Sequence, residues 1–190
     1  MNLTSSLWYL GRGTGVVALL VFTLTMVLGI TTRSGRAGLG LDRFGFADLH
    51  KTASLAGTAL IAVHVGTLLF DPYAQLKLVD LVLPFLGSYR PVWLGLGTLA
   101  IDLLVVLVGT SLLRHRIGPR AFRAFHWTAY ALWPFAVLHG LGTGTDAGTL
   151  WFRALAAGSV LAVTTALVWR TAPSFAERGM RRVPRKVVPR

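Results

Sequence analysis

The stretch HKTASLAGTALIAVH runs from His50 to His64. Apart from Lys51, everything between the two histidines is apolar or small. At about 100° per residue, fourteen steps fall about 40° short of four full turns, so a helix would carry both imidazoles on one side. They would stand roughly 21 Å apart along its axis. That is the spacing of two stacked sites, one near each face of a bilayer.

The rest of the chain supports a membrane setting. Of 190 residues, 54% are hydrophobic and 14% charged, and mean hydropathy is +0.62. Such a composition belongs to membrane proteins more than to soluble domains. Five apolar segments are long enough to cross a bilayer, at about 8–31, 48–70, 91–113, 122–142 and 151–169. The expected fold is therefore all-α, an integral membrane bundle of about five helices, with little room for a soluble catalytic domain. The segment LVDLVLPFLG (78–87) is too short to span and contains Pro84; it is expected at the interface or as a cap over the bundle. No basic region precedes the first apolar run, which reads as a retained span and not a signal peptide. Two regions are expected, a membrane domain over 1–170 and a basic, disordered cytoplasmic tail over 171–190.

Net charge is +12. Fifteen of the nineteen basic residues lie in the first loop and the start of the second span, in the third loop, or in the tail from Arg170 onward. Arg12, Lys77, Arg90 and Arg153 fall on the other side. The positive-inside rule then puts the N-terminus outside and the C-terminus in the cytoplasm of a multi-pass plasma-membrane protein. The charge is a topology signal and an attraction to anionic lipid. It is not a nucleic-acid footprint, because the basic residues flank spans. With no cysteine, disulfides, iron–sulfur clusters and c-type haem attachment are excluded.

The fourth span repeats the histidine pattern in FHWTAYALWPFAVLH, with His126 and His139 thirteen apart. An ideal helix leaves these about 140° out of register. Pro134 lies between them, and a kink or a tighter 3₁₀ turn is expected to recover part of the rotation. The second and fourth spans run in the same direction. His50 and His126 then share the inner level, and His64 and His139 the outer. A zinc or copper site needs its ligands clustered; two pairs about 20 Å apart suit two haems held by paired axial imidazoles instead. His115, in the basic LLRHRIGPR, reads as a solvated loop residue.

These residues carry a resemblance. LHKTASLAGTALIAVH, RAFRAFHWTAYALWPFAVLH and the first span YLGRGTGVVALLVFTLTMVLG resemble the ferric reductase-like transmembrane domain family, over roughly residues 8–170. That family includes NADPH oxidases, ferric-chelate reductases and the bacterial haem subunit serving a periplasmic methionine sulfoxide reductase. The resemblance implies two b-type haems, the inner on His50 and His126 and the outer on His64 and His139. It implies single electrons moving from the cytoplasmic side or the quinol pool to an acceptor on the outer face. The chain departs from the family in having five expected spans where six are common. It also lacks the flavin and nicotinamide domains of the oxidases. The expected donor is thus a separate flavoprotein reductase or quinol, with a bound quinone as a possible second cofactor. The expected acceptor is a protein or ferric iron, and the chain itself is the electron-transfer subunit of an oxidoreductase. Alternatives are a quinol-oxidising cytochrome subunit of a respiratory complex, or a haem-free transporter or scaffold with proton-relay histidines.

Secondary candidates follow. Arg12 suits a haem propionate or the interface. Arg123 and Lys51 suit the inner haem or interface anchoring. Asp102, the one acid deep in a span, suits a proton relay, a quinone contact or a buried hydrogen bond. Trp127, Tyr130, Trp133 and Phe135 line the gap between haems or simply pack. Gly57, Gly66, Gly95, Gly97 and Gly109 allow close approach of helices or rings.

Overall fold

A hydrocarbon environment gives the backbone no partner but itself, so a chain this apolar must be helical wherever it crosses. In the computed structural model, residues 3–34, 42–74, 76–172 and 175 are described. Among them are α1 (Leu3–Ser34), α2 (Arg43–Leu69), α3 (Pro91–Leu112), α4 (Arg114–His126), α5 (Ala129–Thr143) and α6 (Leu150–Thr171), with a 3₁₀ turn at Leu78–Leu81. No strand occurs among the described residues. The expected tail at 171–190 lies almost wholly outside them.

Local chemistry sets the helix ends. Asp42 caps α2, its carboxylate accepting the Gly45 N–H at 2.8 Å, and Pro91 opens α3 at a position where its missing N–H costs nothing. Within the spans, threonine hydroxyls donate to the carbonyl four residues back, as Thr25 does to Val21 at 2.8 Å. This removes a donor from apolar surroundings.

Among the described residues four helices are long and apolar enough to cross a bilayer: the stretches Ser5–Ser34, Phe44–Leu69, Pro91–Leu112 and Leu150–Thr171. The fourth expected span, 122–142, is not one helix. It is divided at Trp127–Thr128 between α4 and α5. The basic third loop is also not a loop: Arg114, Arg116, Arg120 and Arg123 are exposed on α4, which bends at Gly118, where φ is 79°. Amphipathic and basic, α4 has the character of a helix lying along a membrane surface. From Phe125 to Ala131 the chain makes three-residue turns, with Thr128 N–H to Phe125 O at 3.0 Å, Tyr130 N–H to Trp127 O at 3.1 Å and Ala131 N–H to Thr128 O at 3.0 Å. Wound at about 120° per residue instead of 100°, such a segment recovers on the order of 80–100° of the His126–His139 misfit. The rotation is supplied before Pro134, not at it.

α1 is the central helix. It packs along α2 and also meets α5 and α6, while α3 packs on α5. The core joins Ala18, Leu19 and Phe22 of α1 to Trp133 and Val137 of α5 and Val163 of α6. Trp133 donates its indole N–H to Thr23 Oγ1 at 3.0 Å inside this core. Outward positions stay apolar, as at Leu55, Val105 and Leu161, each more than 60% exposed. A face of this kind is stable against lipid and not against water. Trp133→Phe keeps the packing and removes the hydrogen bond. It should lower stability by about 1 kcal/mol, read as an earlier thermal unfolding transition in detergent; an unchanged transition would show the bond to be dispensable.

Candidate functional site

An imidazole in an apolar bundle must satisfy its ring N–H. Three of the four histidines in the paired segments do so on the backbone of a neighbouring helix. His50 Nδ1 meets Thr25 O at 3.0 Å, His64 Nδ1 meets Gly11 O at 2.6 Å, and His139 Nδ1 meets Trp93 O at 3.0 Å. A carbonyl only accepts, so each of these rings carries its proton on Nδ1 and keeps the Nε2 lone pair for another partner. This is the state in which histidine binds a metal with its orientation fixed from behind.

Two of the rings meet directly, and two others share a cavity. His50 of α2 and His126 at the end of α4 lie edge to face, with ring centroids 6.1 Å apart and planes at 74°. His126 differs from the others in one respect: its Nδ1 is buried and has no hydrogen-bond partner among the described residues. His64 and His139 line one cavity of about 410 Å³, which α1, α2, α3 and α5 enclose with Leu19, Phe22, Leu104 and Leu132 among its apolar walls. Among the described residues no three His, Asp or Glu side chains cluster; the histidines come in twos.

Described residues between α2 and α3 form part of the cavity wall, in the region where 78–87 is expected at the interface or as a cap. Tyr73, Leu76, Asp80, Leu81 and Tyr89 all line it. Asp80 holds the segment's shape: its carboxylate accepts the Lys77 N–H at 3.0 Å, and its carbonyl accepts the Thr98 hydroxyl of α3 at 2.6 Å.

Arg12 also lines this cavity, but its guanidinium already has a partner. Nη2 lies 2.5 Å from both carboxylate oxygens of Asp146, and Nε lies 3.1 Å from one of them. Trp8 and Tyr9 flank it, each ring about 6.0 Å away. Arg123 and Lys51 are exposed beside the inner pair. His115 is exposed on α4, within 3.2 Å of Arg114 Nε. Asp102 is partly exposed on α3 and outside the cavity lining. None of Trp127, Tyr130, Trp133 and Phe135 lines the cavity. Trp133 is core, and Trp127 and Tyr130 hold Arg170, which donates to the Tyr130 hydroxyl and stacks 4.7 Å from the Trp127 ring. Of the five glycines singled out, Gly57 packs on Phe22, Gly95 on Phe85 and Gly97 on His139, whereas Gly66 and Gly109 face open space.

Sequence reading missed Asp146 and the three carbonyl acceptors. A signal for two of the acceptors was present: Gly11 and Thr25 are fourteen residues apart, the same interval as His50 and His64.

Several helices apolar enough to span a bilayer, with half-buried histidines among them, define a multi-pass membrane protein. Residues 14–137 match the family model described as "Ferric reductase like transmembrane component", and the chain belongs to that family. The match contains His50, His64 and His126 and ends two residues before His139. No curated protein and no solved structure matches the chain. Membership points to electron transfer within a membrane.

The Arg12–Asp146 pair is open to test. The two side chains are 33% and 19% exposed, so solvent screens part of their attraction. Asp146→Ala should cost on the order of 1 kcal/mol, and the double variant with Arg12→Ala less than the two single losses added. A double-mutant cycle of thermal unfolding measures the difference; additivity would show no coupling.

Proposed function

We propose that this chain is a di-haem b-type membrane cytochrome that passes single electrons from the cytoplasmic side to an acceptor on the outer face. The observation that carries this reading is the state of the histidines. His50 and His126 are in ring contact, His64 and His139 line one cavity, and three of the four rest Nδ1 on a backbone carbonyl.

The inner haem would be held by His50 and His126, the outer by His64 and His139. Haem iron between two imidazoles exchanges one electron between its ferric and ferrous states. The protein's part is positional. Thr25, Gly11 and Trp93 carbonyls fix three ring tautomers and raise the basicity of those nitrogens. Leu19, Phe22, Leu104 and Leu132 give the outer site mostly apolar walls, which Tyr73 and Tyr89 also line. Arg12, at the same cavity, supplies a cation for an acidic edge of the macrocycle, in competition with Asp146. Arg123 and Lys51 stand beside the inner pair for the same purpose.

Orientation follows from charge. The exposed arginines of α4 lie at the end of the bundle that holds His126, and Arg33 closes α1 at the level of His50. That end is the cytoplasmic one by the positive-inside rule, which puts the His64–His139 cavity toward the outer face of the plasma membrane. The donor is a separate flavoprotein or quinol, and the acceptor an outer-face protein or ferric iron.

A reduced-minus-oxidised spectrum of the purified chain should show a b-type cytochrome; its absence would refute the reading. His64→Ala or His139→Ala should each lower haem per chain to roughly half, while His115→Ala should leave it at the wild-type value. Full retention in both His64→Ala and His139→Ala would overturn the assigned pairs.

A further inference from the structure

The three tethered imidazoles share one arrangement that goes beyond the hydrogen bond. In each case the residue four positions after the accepting carbonyl is glycine. Gly11 O is followed by Gly15, Thr25 O by Gly29, and Trp93 O by Gly97. In a helix, the carbonyl of residue i already accepts the N–H of residue i+4. A second donor can reach that oxygen only by lying against the backbone at i+4, and a Cβ there stands in its way.

The distances show the imidazoles occupying that place. A Cβ on Gly15 would lie 2.8 Å from His64 Cε1 and 2.9 Å from its Nδ1. On Gly97 it would lie 2.5 Å from His139 Nδ1, and on Gly29 3.1 Å from His50 Cε1. Gly15 and Gly29 are fourteen apart on α1, facing His64 and His50, which are fourteen apart on the neighbouring α2.

We infer that Gly15, Gly29 and Gly97, each with the carbonyl four residues before it, form three copies of one backbone seat. The seat fixes the plane and tautomer of the histidine facing it. These glycines are positioning residues: they touch the imidazoles and act through them. His126 has no such seat among the described residues. Gly109, the next glycine along α3, has nothing within 4 Å of an added Cβ, and among the described residues His126 Nδ1 is without a partner.

The proposed consequence for haem binding rests on the cytochrome reading; the tautomers do not. Gly15→Ala, Gly29→Ala and Gly97→Ala are compared with Gly13→Ala and Gly66→Ala, where an added methyl meets nothing within 4 Å. Haem per chain, midpoint potentials and the low-spin ferric resonances are read on the purified full-length chain. Gly15→Ala and Gly97→Ala should lose the outer haem, leaving roughly half the wild-type content. Gly29→Ala, with the loosest of the three contacts, should keep both haems but shift the resonance and potential of one. The two controls should match wild type. Wild-type content, resonances and potentials in all three seat variants would overturn the proposal. Should the tighter variants fail to fold, two measurements still decide it. One is Gly29→Ala. The other is ring-nitrogen NMR of the ¹⁵N-histidine-labelled wild type, where His50, His64 and His139 should carry the proton on Nδ1. A proton on Nε2 in any of the three refutes the seat. A wild-type chain without haem would refute the cytochrome reading and leave this NMR test standing.

Discussion

An imidazole N–H buried among hydrocarbon costs energy until it finds an acceptor, and in a helical bundle the acceptors within reach are carbonyls already engaged in their own helices. That constraint organises the molecule. It brings α1 close along α2, so that Gly11 and Thr25 can be reached from His64 and His50. It brings α3 against α5, so that Trp93 can be reached from His139. The helix pairs that pack most extensively are those joined by these bonds. The core of Leu19, Phe22, Trp133 and Val137 then fills the bundle between the two histidine levels.

Much of this was legible in the sequence because it depends on intervals within one helix. The fourteen-residue spacing of His50 and His64 fixes their common side whatever surrounds them, and apolar segment lengths with the bias of arginines fix the bundle. The pairing of His50 with His126 followed from span order alone. What could not be read depends on which residue of one helix faces which residue of another. Asp146 sits 134 positions from Arg12 in a stretch with no periodic signal, so their pairing exists only once the fold has closed. Gly15 and Gly29 look like ordinary helix-packing glycines until α1 and α2 are set side by side.

The fourth expected span shows a different limit. Hydropathy reads RAFRAFHWTAYALWPFAVLH as one run, because it averages over the windows where turn geometry changes. The physical event, three-residue turns around Trp127 and Thr128, involves residues with no strong breaking tendency, and Pro134 drew attention to the wrong place. The change of helix there does two things. It turns the chain from the surface-lying α4 into the bundle, and it supplies rotation that thirteen residues of ideal helix lack.

Among the described residues His126 Nδ1 has no partner, and this bears on how the four rings tolerate change. Three are clamped from behind, so turning any of them breaks a hydrogen bond in an apolar setting. The fourth can turn about its own axis at no such cost, and it is carried on the last residue of α4, just before the change of helix. Small errors in the placement of α2 against α4 therefore have one place to go. The inner pair has a built-in adjuster, and the outer pair has none. The spacing of the outer pair must be right by construction, through the rigid packing of α3 on α5 and α1 on α2.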